Sequence, residues 1–496
     1  MQIDISKIPS YVSRVTETLE NAGFEAYLVG GCVRDLIIGR GPKDWDVTTN
    51  ANPEQIQALF EKTVYENKFG TVAVVFENEN VSHETNTSIN THYIVEVTPY
   101  RTESDYSDNR HPDRVTFSQN IEDDLKRRDF TINAFALDSK GHIKDIFEGI
   151  KDIENKLVRA VGNPEERFQE DALRLLRAVR FSTELGFTIE GDTMAALFAN
   201  AKFLQNISAE RIRDEFVKII NSPNPMIGIG MLQKLGLLKH IVPELEEGIN
   251  CEQGGVHRYD VYEHLLHALD HAKNKGFPFH VKLAALFHDI GKPRTRRPGH
   301  KKAYTFYGHE VIGARMAQKI MDRLKFPKAD TELVVKLVRW HMFFSDTEQI
   351  TLSAVRRMVQ NVGTENIWTL MQIRECDRVG MAKVEAPYRL RKYHAMIEQV
   401  LRDPISVSQL AIDGNYLIGE LHVKPGPRMG WILHALLEEV LEDPTKNTIE
   451  TLVSRVTELE KLSDTELRAL GEAGKERKEN ADEAEIEKLN KKHGVK

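Results

Sequence analysis

Two aspartates with a single residue between them, Asp44 and Asp46, follow the glycine pair Gly30-Gly31 in the chain. The segment around the aspartates is interpreted as a strand, on which side chains at i and i+2 share one face. Two carboxylates so placed can hold two divalent ions about 4 Å apart, as in-line phosphoryl transfer requires. We therefore predict that both aspartates are catalytic and bind two Mg²⁺ ions.

The glycine pair sits where a strand predicted at 26–29 gives way to a helix predicted to begin near Val33. Glycine lets the backbone approach a phosphate, and a helix N-terminus favours an anion. Arg34, one turn into that helix, could reach the same phosphates. The pattern predicts a nucleotide-phosphate site beside the aspartates. Taken alone, the glycine pair also fits an ordinary turn, and the two aspartates also fit the solvated end of a strand.

Two charged segments follow, RRDFTINA at 127–134 and EDALRLLRAVRF at 170–181. On a helix, Asp171 and Arg174 would be i, i+3 neighbours. A carboxylate beside a guanidinium offers acceptors and donors that can imitate a Watson–Crick edge. From the residues alone, a surface salt bridge at 171–174 and a helix cap at Asp129 explain the segments as well.

Composition limits the classes of function. The 496 residues carry a formal net charge of −8, so contacts to RNA must come from local basic patches. Three separated cysteines without CxxC spacing argue against disulfides and zinc knots, and fit a reducing cytoplasm. Neither a signal peptide nor a membrane-spanning apolar run is apparent. We expect a cytoplasmic protein with no membrane contact.

The order of strand and helix signals predicts an α+β protein, with a small mixed α/β head followed by all-α domains. A polar stretch at 78–91 is interpreted as a loop insertion, and the charged tail as a frayed helix or mobile. The predicted domains are the head at 1–150, a helical neck at 151–250, a histidine-rich metal-binding domain at 251–380, a helical C-terminal region at 381–460 and the tail at 461–496.

Together and in this order, the motifs resemble class II tRNA nucleotidyltransferases and bacterial poly(A) polymerases, over about residues 25–455. The resemblance implies that the EDxxR-type motif selects CTP or ATP as a protein template, and that RRDFTxNA contacts the ribose. It also implies a tRNA-binding C-terminal region at 414–447 and a structural neck motif at 208–212. The nucleotide-binding residues implied are Gly30, Gly31, Arg34, Arg128, Asp129 and Asn133, with Asp171 and Arg174 reading the base and Arg177 and Arg180 on the triphosphate.

Residues 100–115 resemble the family's flexible loop, which implies that a terminal A can be added, and 68–72 follow the pattern of the tRNA enzymes. The resemblance thus favours a CCA-adding enzyme acting on tRNA with CTP and ATP. An A-adding enzyme and a poly(A) polymerase are the alternatives. A more distant alternative is a phosphohydrolase whose head domain only senses nucleotide. The oligomeric state stays open.

Histidines and aspartates between 257 and 377 suit a divalent metal whose identity the residues leave open. They resemble HD-domain phosphohydrolases, which implies the ligands His264, His288, Asp289 and Asp377, with His309 and His341 completing a second site in some members. Two interpretations compete. The domain either trims 2′,3′-cyclic or 2′-phosphates from RNA ends, which we favour as a side activity, or is a structural domain that positions tRNA.

Overall fold

The structure, a computed structural model, describes residues 2–65, 70–77, 92–104, 114–254, 258–299, 303–342, 350–379 and 387–471. The predicted insertion at 78–91, most of the flexible loop at 100–115, Lys68 and Phe69 lie outside these ranges, as does the tail beyond 471. The chain divides into two compact units, Met1–Ile241 and Val242–Lys496, which are described separately.

The described strands of the first unit are β1 Ala26–Val29, β2 Asp46–Thr49, β3 Thr63–Tyr65, β4 Val72–Glu77, β5 His92–Pro99, β6 Arg101–Ser104, β7 Arg114–Phe117, β8 Phe135–Leu137, β9 Ile143–Asp145, β10 Leu157–Val158 and β11 Thr188–Ile189. Seven of them form a sheet in the order β3-β4-β5-β2-β1-β8-β9, β6 and β7 form a hairpin, and β10 and β11 form a small parallel pair. β1 pairs antiparallel with β2, and β2 pairs parallel with β5.

Five described helices alternate with these strands along the chain, and five more make up most of the rest of the unit. Asn52 caps the helix that begins at Pro53 through a capping box with Gln55. The helices are α1 Ser10–Asn21, α2 Gly31–Ile37, α3 Pro53–Leu59, α4 Ile121–Lys126, α5 Gly149–Glu154, α6 Pro164–Glu170, α7 Leu173–Leu185, α8 Gly191–Asn200, α9 Ala209–Asn221 and α10 Pro225–Lys234, with 3₁₀ turns at Ile5–Lys7, Thr131–Asn133, Ala201–Asn206 and Leu238–His240.

Three local predictions are corrected here. β2 begins at Asp46, so Asp44 precedes the strand rather than sharing it. α2 begins at Gly31, two residues before the expected start. Asp171 is not helical. It follows α6 in an extended conformation, with φ −138° and ψ 104°. Its side chain accepts the N–H of Leu173, the first residue of α7, at 3.0 Å.

The second unit is almost entirely helical in its described part, with one short hairpin of β12 Arg297–Pro298 and β13 Tyr304–Thr305. Its helices are α11 Pro243–Glu246, α12 Val261–Asn274, α13 Phe279–Phe287, α14 Lys292–Thr295, α15 His309–Arg323, α16 Lys328–Trp340, α17 Leu352–Val362, α18 Ile367–Asp377, α19 Pro387–Val400, α20 Gly414–Gly419, α21 Pro427–Glu442 and α22 Ile449–Leu459, with 3₁₀ turns at Val407–Gln409 and Pro444–Lys446.

The predicted α+β class is confirmed, with the mixed sheet confined to the first part of the chain. Within the segment predicted as a charged tail, residues 464–471 are helical and Leu467 is fully buried. Within the described ranges, no helix combines the length and apolar character needed to cross a membrane.

Candidate active site and metal centre

A cavity of about 960 Å³ in the first unit collects residues from β2, α2, α7, α9 and the segment after α4. The structure brings together all twelve head and neck residues that the sequence singled out. They are Gly30, Gly31, Arg34, Asp44, Asp46, Arg128, Asp129, Asn133, Asp171, Arg174, Arg177 and Arg180.

The two aspartates flank Trp45, whose side chain is buried while Asp44 is exposed and Asp46 half-buried. Burial raises the pKa of Asp46, and the neighbouring Asp44 carboxylate raises it further, against the opposing effect of Arg128 and Arg177. A cation beside the pair would offset the repulsion that the Asp44 carboxylate exerts on Asp46, and carboxylate oxygens are ligands that hard divalent cations accept. The donor chemistry of the pair therefore suits a divalent cation.

Gly30 has a structural reason for its residue type. Its φ is 77°, and a Cβ there would lie 3.0 Å from Nη1 of Arg128 and 3.4 Å from Oδ2 of Asp46. β1 pairs Val29 with Asp46, so the backbone turn at Gly30 lies directly beside the carboxylate. Glycine both permits the left-handed conformation and leaves space at the carboxylate and guanidinium.

A chain of hydrogen bonds joins two of the arginines. Arg34 Nη1 donates to Asn133 Oδ1 at 2.8 Å, and Asn133 Nδ2 donates to Asp129 Oδ1 at 3.3 Å. Arg177 Nε then donates to Asp129 Oδ2 at 2.6 Å. Burial alone would raise the pKa of Asp129, but Arg177 and Arg174 outweigh it and lower this pKa to about 2. The network fixes two guanidiniums in the cavity.

The side chains of the two residues predicted to read the base are held by different partners. Arg174 donates to the main-chain oxygens of Arg167 and Arg127 at 3.0 and 2.9 Å, and pairs with Glu170 at 2.5 Å. Asp171 instead binds Arg211 of α9. Both side chains line the cavity, held by different partners.

In the second unit, six buried residues form two overlapping groups of metal-ligating atoms that share Asp289. Within each group, every ligand atom lies within 4.8 Å of the others. These are the six residues predicted from the sequence, with His264, His288, Asp289 and Asp377 in one group and Asp289, His309 and His341 in the other.

Main-chain carbonyls orient three of these imidazoles. Nδ1 of His288, His309 and His341 lies 2.7–2.8 Å from the oxygens of Ala285, Phe306 and Val338. A carbonyl only accepts, so Nδ1 carries the hydrogen, and Nε2 is the atom that each ring turns inward and can offer to a metal once it is unprotonated. His309 Nε2 then faces Asp289 Oδ1 at 3.2 Å, one acceptor against another.

Such an approach is favourable only with a proton or a metal ion between the two atoms. Among the described residues, Asp289 Oδ1, His309 Nε2 and His341 Nε2 are buried without a hydrogen-bond partner. Burial would lower the pKa of His288, but the carboxylates of Asp289 and Asp377 raise it to about 10. The cluster attracts positive charge, and its donor set fits one or two divalent transition metals.

Three families match the chain in order: the Poly A polymerase head domain at 26–159, the probable RNA and SrmB-binding site of polymerase A at 186–249, and the HD domain at 255–378. A CCA-adding enzyme of Lactobacillus helveticus (strain DPC 4571) is 33% identical over 466 residues, which cover 92% of this chain and 100% of that protein. The chain belongs to the CCA-adding enzyme family.

Two further likenesses agree with this membership. The CCA-adding enzyme of Ligilactobacillus salivarius (strain UCC118) is 34% identical across 90% of this chain and 95% of that protein. The solved Bacillus stearothermophilus CCA-adding enzyme in complex with CTP has a TM-score of 0.66 and 27% identity, covering 90% of this chain and 98% of that one. The chain is thus a nucleotidyltransferase by family.

Phe181 lines the nucleotide cavity but was not predicted as a site residue. Its ring is 4% exposed and lies beneath three guanidiniums, with the Cζ atoms of Arg34, Arg177 and Arg180 at 5.3, 5.3 and 4.3 Å from its centroid. The i, i+4 spacing of Arg177 and Phe181 on one helix was the available signal.

Lys292 was also missed in the HD motif. Its Nζ lies 2.5 Å from Asp289 Oδ2 and donates to Gln253 Oε1 at 2.7 Å, within a buried environment. Its i, i+3 spacing from Asp289 was the available signal. Together with His288, Lys292 lowers the pKa of Asp289 against the opposing effect of burial.

Proposed function

We propose that this chain adds CCA to the 3′ end of tRNA from CTP and ATP without a nucleic-acid template. The observation that carries the proposal is the single cavity that holds Asp44, Asp46, the arginines and the Asp171–Arg174 set together. The full-length likeness to CCA-adding enzymes supports it.

In this proposal Asp44 and Asp46 hold Mg²⁺, which would activate the tRNA 3′-hydroxyl and stabilise the leaving pyrophosphate. The arginines supply the positive charge that meets the triphosphate, and Arg128 is next to Asp46 across Gly30. The Asp129 network keeps Arg34 and Arg177 in place before substrate arrives, so less ordering is needed on binding.

Base choice is assigned to Asp171 and Arg174. Cytosine and adenine both carry an exocyclic amino group that donates hydrogen bonds, whereas uracil and guanine carry an oxygen in the corresponding place. A fixed carboxylate at Asp171 accepts a hydrogen bond from the amino group of cytosine or adenine. The oxygen of uracil or guanine would find no donor there. Arg174, fixed by Glu170 and two carbonyls, supplies donors.

One gel distinguishes this activity from its alternatives. A tRNA transcript ending at the discriminator base and one ending in CC are incubated with CTP, with ATP and with both. We expect three added residues on the first transcript with both nucleotides. Addition of a single A, and only to the second transcript, would instead indicate an A-adding enzyme. A long ladder with ATP would indicate a poly(A) polymerase.

We place the protein in the cytoplasm, where its free buried cysteines would stay reduced.

A second function, phosphohydrolysis at the HD cluster, is proposed from the unpartnered buried atoms around Asp289. Metal held there by the six ligands would polarise a phosphate ester. The test is release of phosphate, or opening of the ring, on RNA ending in a 2′,3′-cyclic phosphate, with Mn²⁺, Co²⁺ or Ni²⁺ added. Loss of that activity in His288→Ala supports the function. Metal binding without turnover would favour the structural interpretation.

A further inference from the structure

Arg211 of α9 binds the carboxylate of Asp171 through two nitrogens. Nη2 donates to Oδ2 at 2.8 Å and Nη1 to Oδ1 at 3.4 Å. The Asp171 side chain is 19% exposed and that of Arg211 is 32% exposed, and both line the nucleotide cavity. A two-pronged guanidinium–carboxylate contact fixes the plane of the carboxylate as well as its position.

Apart from Arg211, one neighbouring main-chain group holds the Asp171 carboxylate, through a single hydrogen bond. The Leu173 N–H donates to Oδ1 at 3.0 Å, which tethers one oxygen to the start of α7. Arg174 does not share the task, since Glu170 and the carbonyl oxygens of Arg127 and Arg167 hold it. Without Arg211, Asp171 would keep a single tether on a non-helical residue.

We infer that Arg211 is a positioning residue for nucleobase selection and acts through Asp171. The inference rests on the proposed function. By fixing the carboxylate plane from α9, Arg211 directs the free lone pairs of Asp171 toward the amino group of cytosine or adenine. A carboxylate free to rotate would tolerate uracil or guanine better, because it could turn away from their oxygens. A separate ion pair, Arg180 of α7 to Glu215 of α9 at 3.0 Å, fixes the spacing of these two helices.

The test measures kcat/KM for CTP, ATP, UTP and GTP on a tRNA lacking its 3′ end, with Arg211→Gln and Arg211→Lys. We expect discrimination of CTP over UTP to fall about tenfold in both variants, because lysine keeps the charge but not the fork. Arg213→Gln is the matched control, since Arg213 is on the same helix, pairs with Asp214 and does not line the cavity. Its discrimination should match the wild type.

A double-mutant cycle separates positioning from mere support of the fold. In an Asp171→Asn background, Arg211→Gln should change CTP/UTP discrimination less than twofold, since the partner through which it acts is gone. An equal loss for all four nucleotides with the ratio preserved would overturn the inference, and so would a full further loss in the Asp171→Asn background. If Arg211→Gln does not fold, Arg211→Lys carries the cycle. Failure of the wild type to add any nucleotide would refute the proposed function instead.

Discussion

The carboxylate of Asp129 accepts a hydrogen bond from Nε of Arg177 at 2.6 Å, so two residues assigned to different parts of the nucleotide hold each other. Asp129 is buried, and its pKa is lowered to about 2 against the opposing effect of burial, chiefly by Arg177. A lowered pKa in the folded protein stabilises the fold above the unfolded pKa, near 4. That contribution disappears as the pH falls toward 2.

Asp129→Asn should therefore lower the free energy of unfolding at pH 7 by about 2 kcal/mol, since one pKa unit is worth about 1.4 kcal/mol. Urea denaturation of both proteins across pH 7 to 3 measures this. The gap between wild type and variant should stay constant down to about pH 4 and narrow below it. A gap that widens on acidification would contradict the assignment.

Phe181→Leu should raise KM for CTP and ATP alike, by about fivefold to tenfold, with little change in their ratio. The ring aligns three guanidiniums, and each cation–π contact is worth about 0.5–2 kcal/mol. Phe216→Leu is the stability control, because Phe216 is fully buried on α9 but is not a cavity residue. Equal KM values in the two variants would show that Phe181 only fills the core.

Gly30→Ala should reduce kcat at least tenfold while leaving the fold intact. The added methyl meets Arg128 and Asp46 at 3.0 and 3.4 Å, and φ is positive. Gly191→Ala, where a Cβ meets nothing within 4 Å and the backbone is helical, is the matched control. Steady-state nucleotide incorporation by both variants checks the expectation, and an active Gly30→Ala enzyme would refute the close approach.

The HD cluster should be stabilised by divalent transition metal. Metal at about 100 times its Kd should add about 2.7 kcal/mol to the stability of the folded state and raise the melting temperature. Calorimetry with Mn²⁺, Co²⁺ or Ni²⁺, before and after chelation, measures the shift. His288→Ala should abolish it and His280→Ala, a histidine paired with Asp330 outside the cluster, should keep it. Equal shifts in both variants would place the metal elsewhere.

The sequence predicted which residues meet but not how they pair. The Asp44 and Asp46 pair and the glycines beside it could be picked out from residue type and spacing. The base-reading residues and the HD ligands were implied by the family resemblances, because each charged residue taken alone also fits a surface salt bridge or a helix cap. Pairings such as Asp171 with Arg211 depend on tertiary packing across 40 positions and have no local signal. The helical placement of Asp171 was wrong because the chain is extended at this residue, between the end of α6 and the start of α7.

The most direct measurement of the central claim is nucleotide incorporation by Asp46→Asn and Asp44→Asn, with tRNA binding measured alongside. Asparagine keeps the shape of each side chain but removes the charge that would hold Mg²⁺. We predict that incorporation of CTP and ATP falls by at least a thousandfold in each variant while tRNA affinity changes less than threefold. Substantial incorporation by either variant at saturating Mg²⁺ would contradict catalysis by the two aspartates.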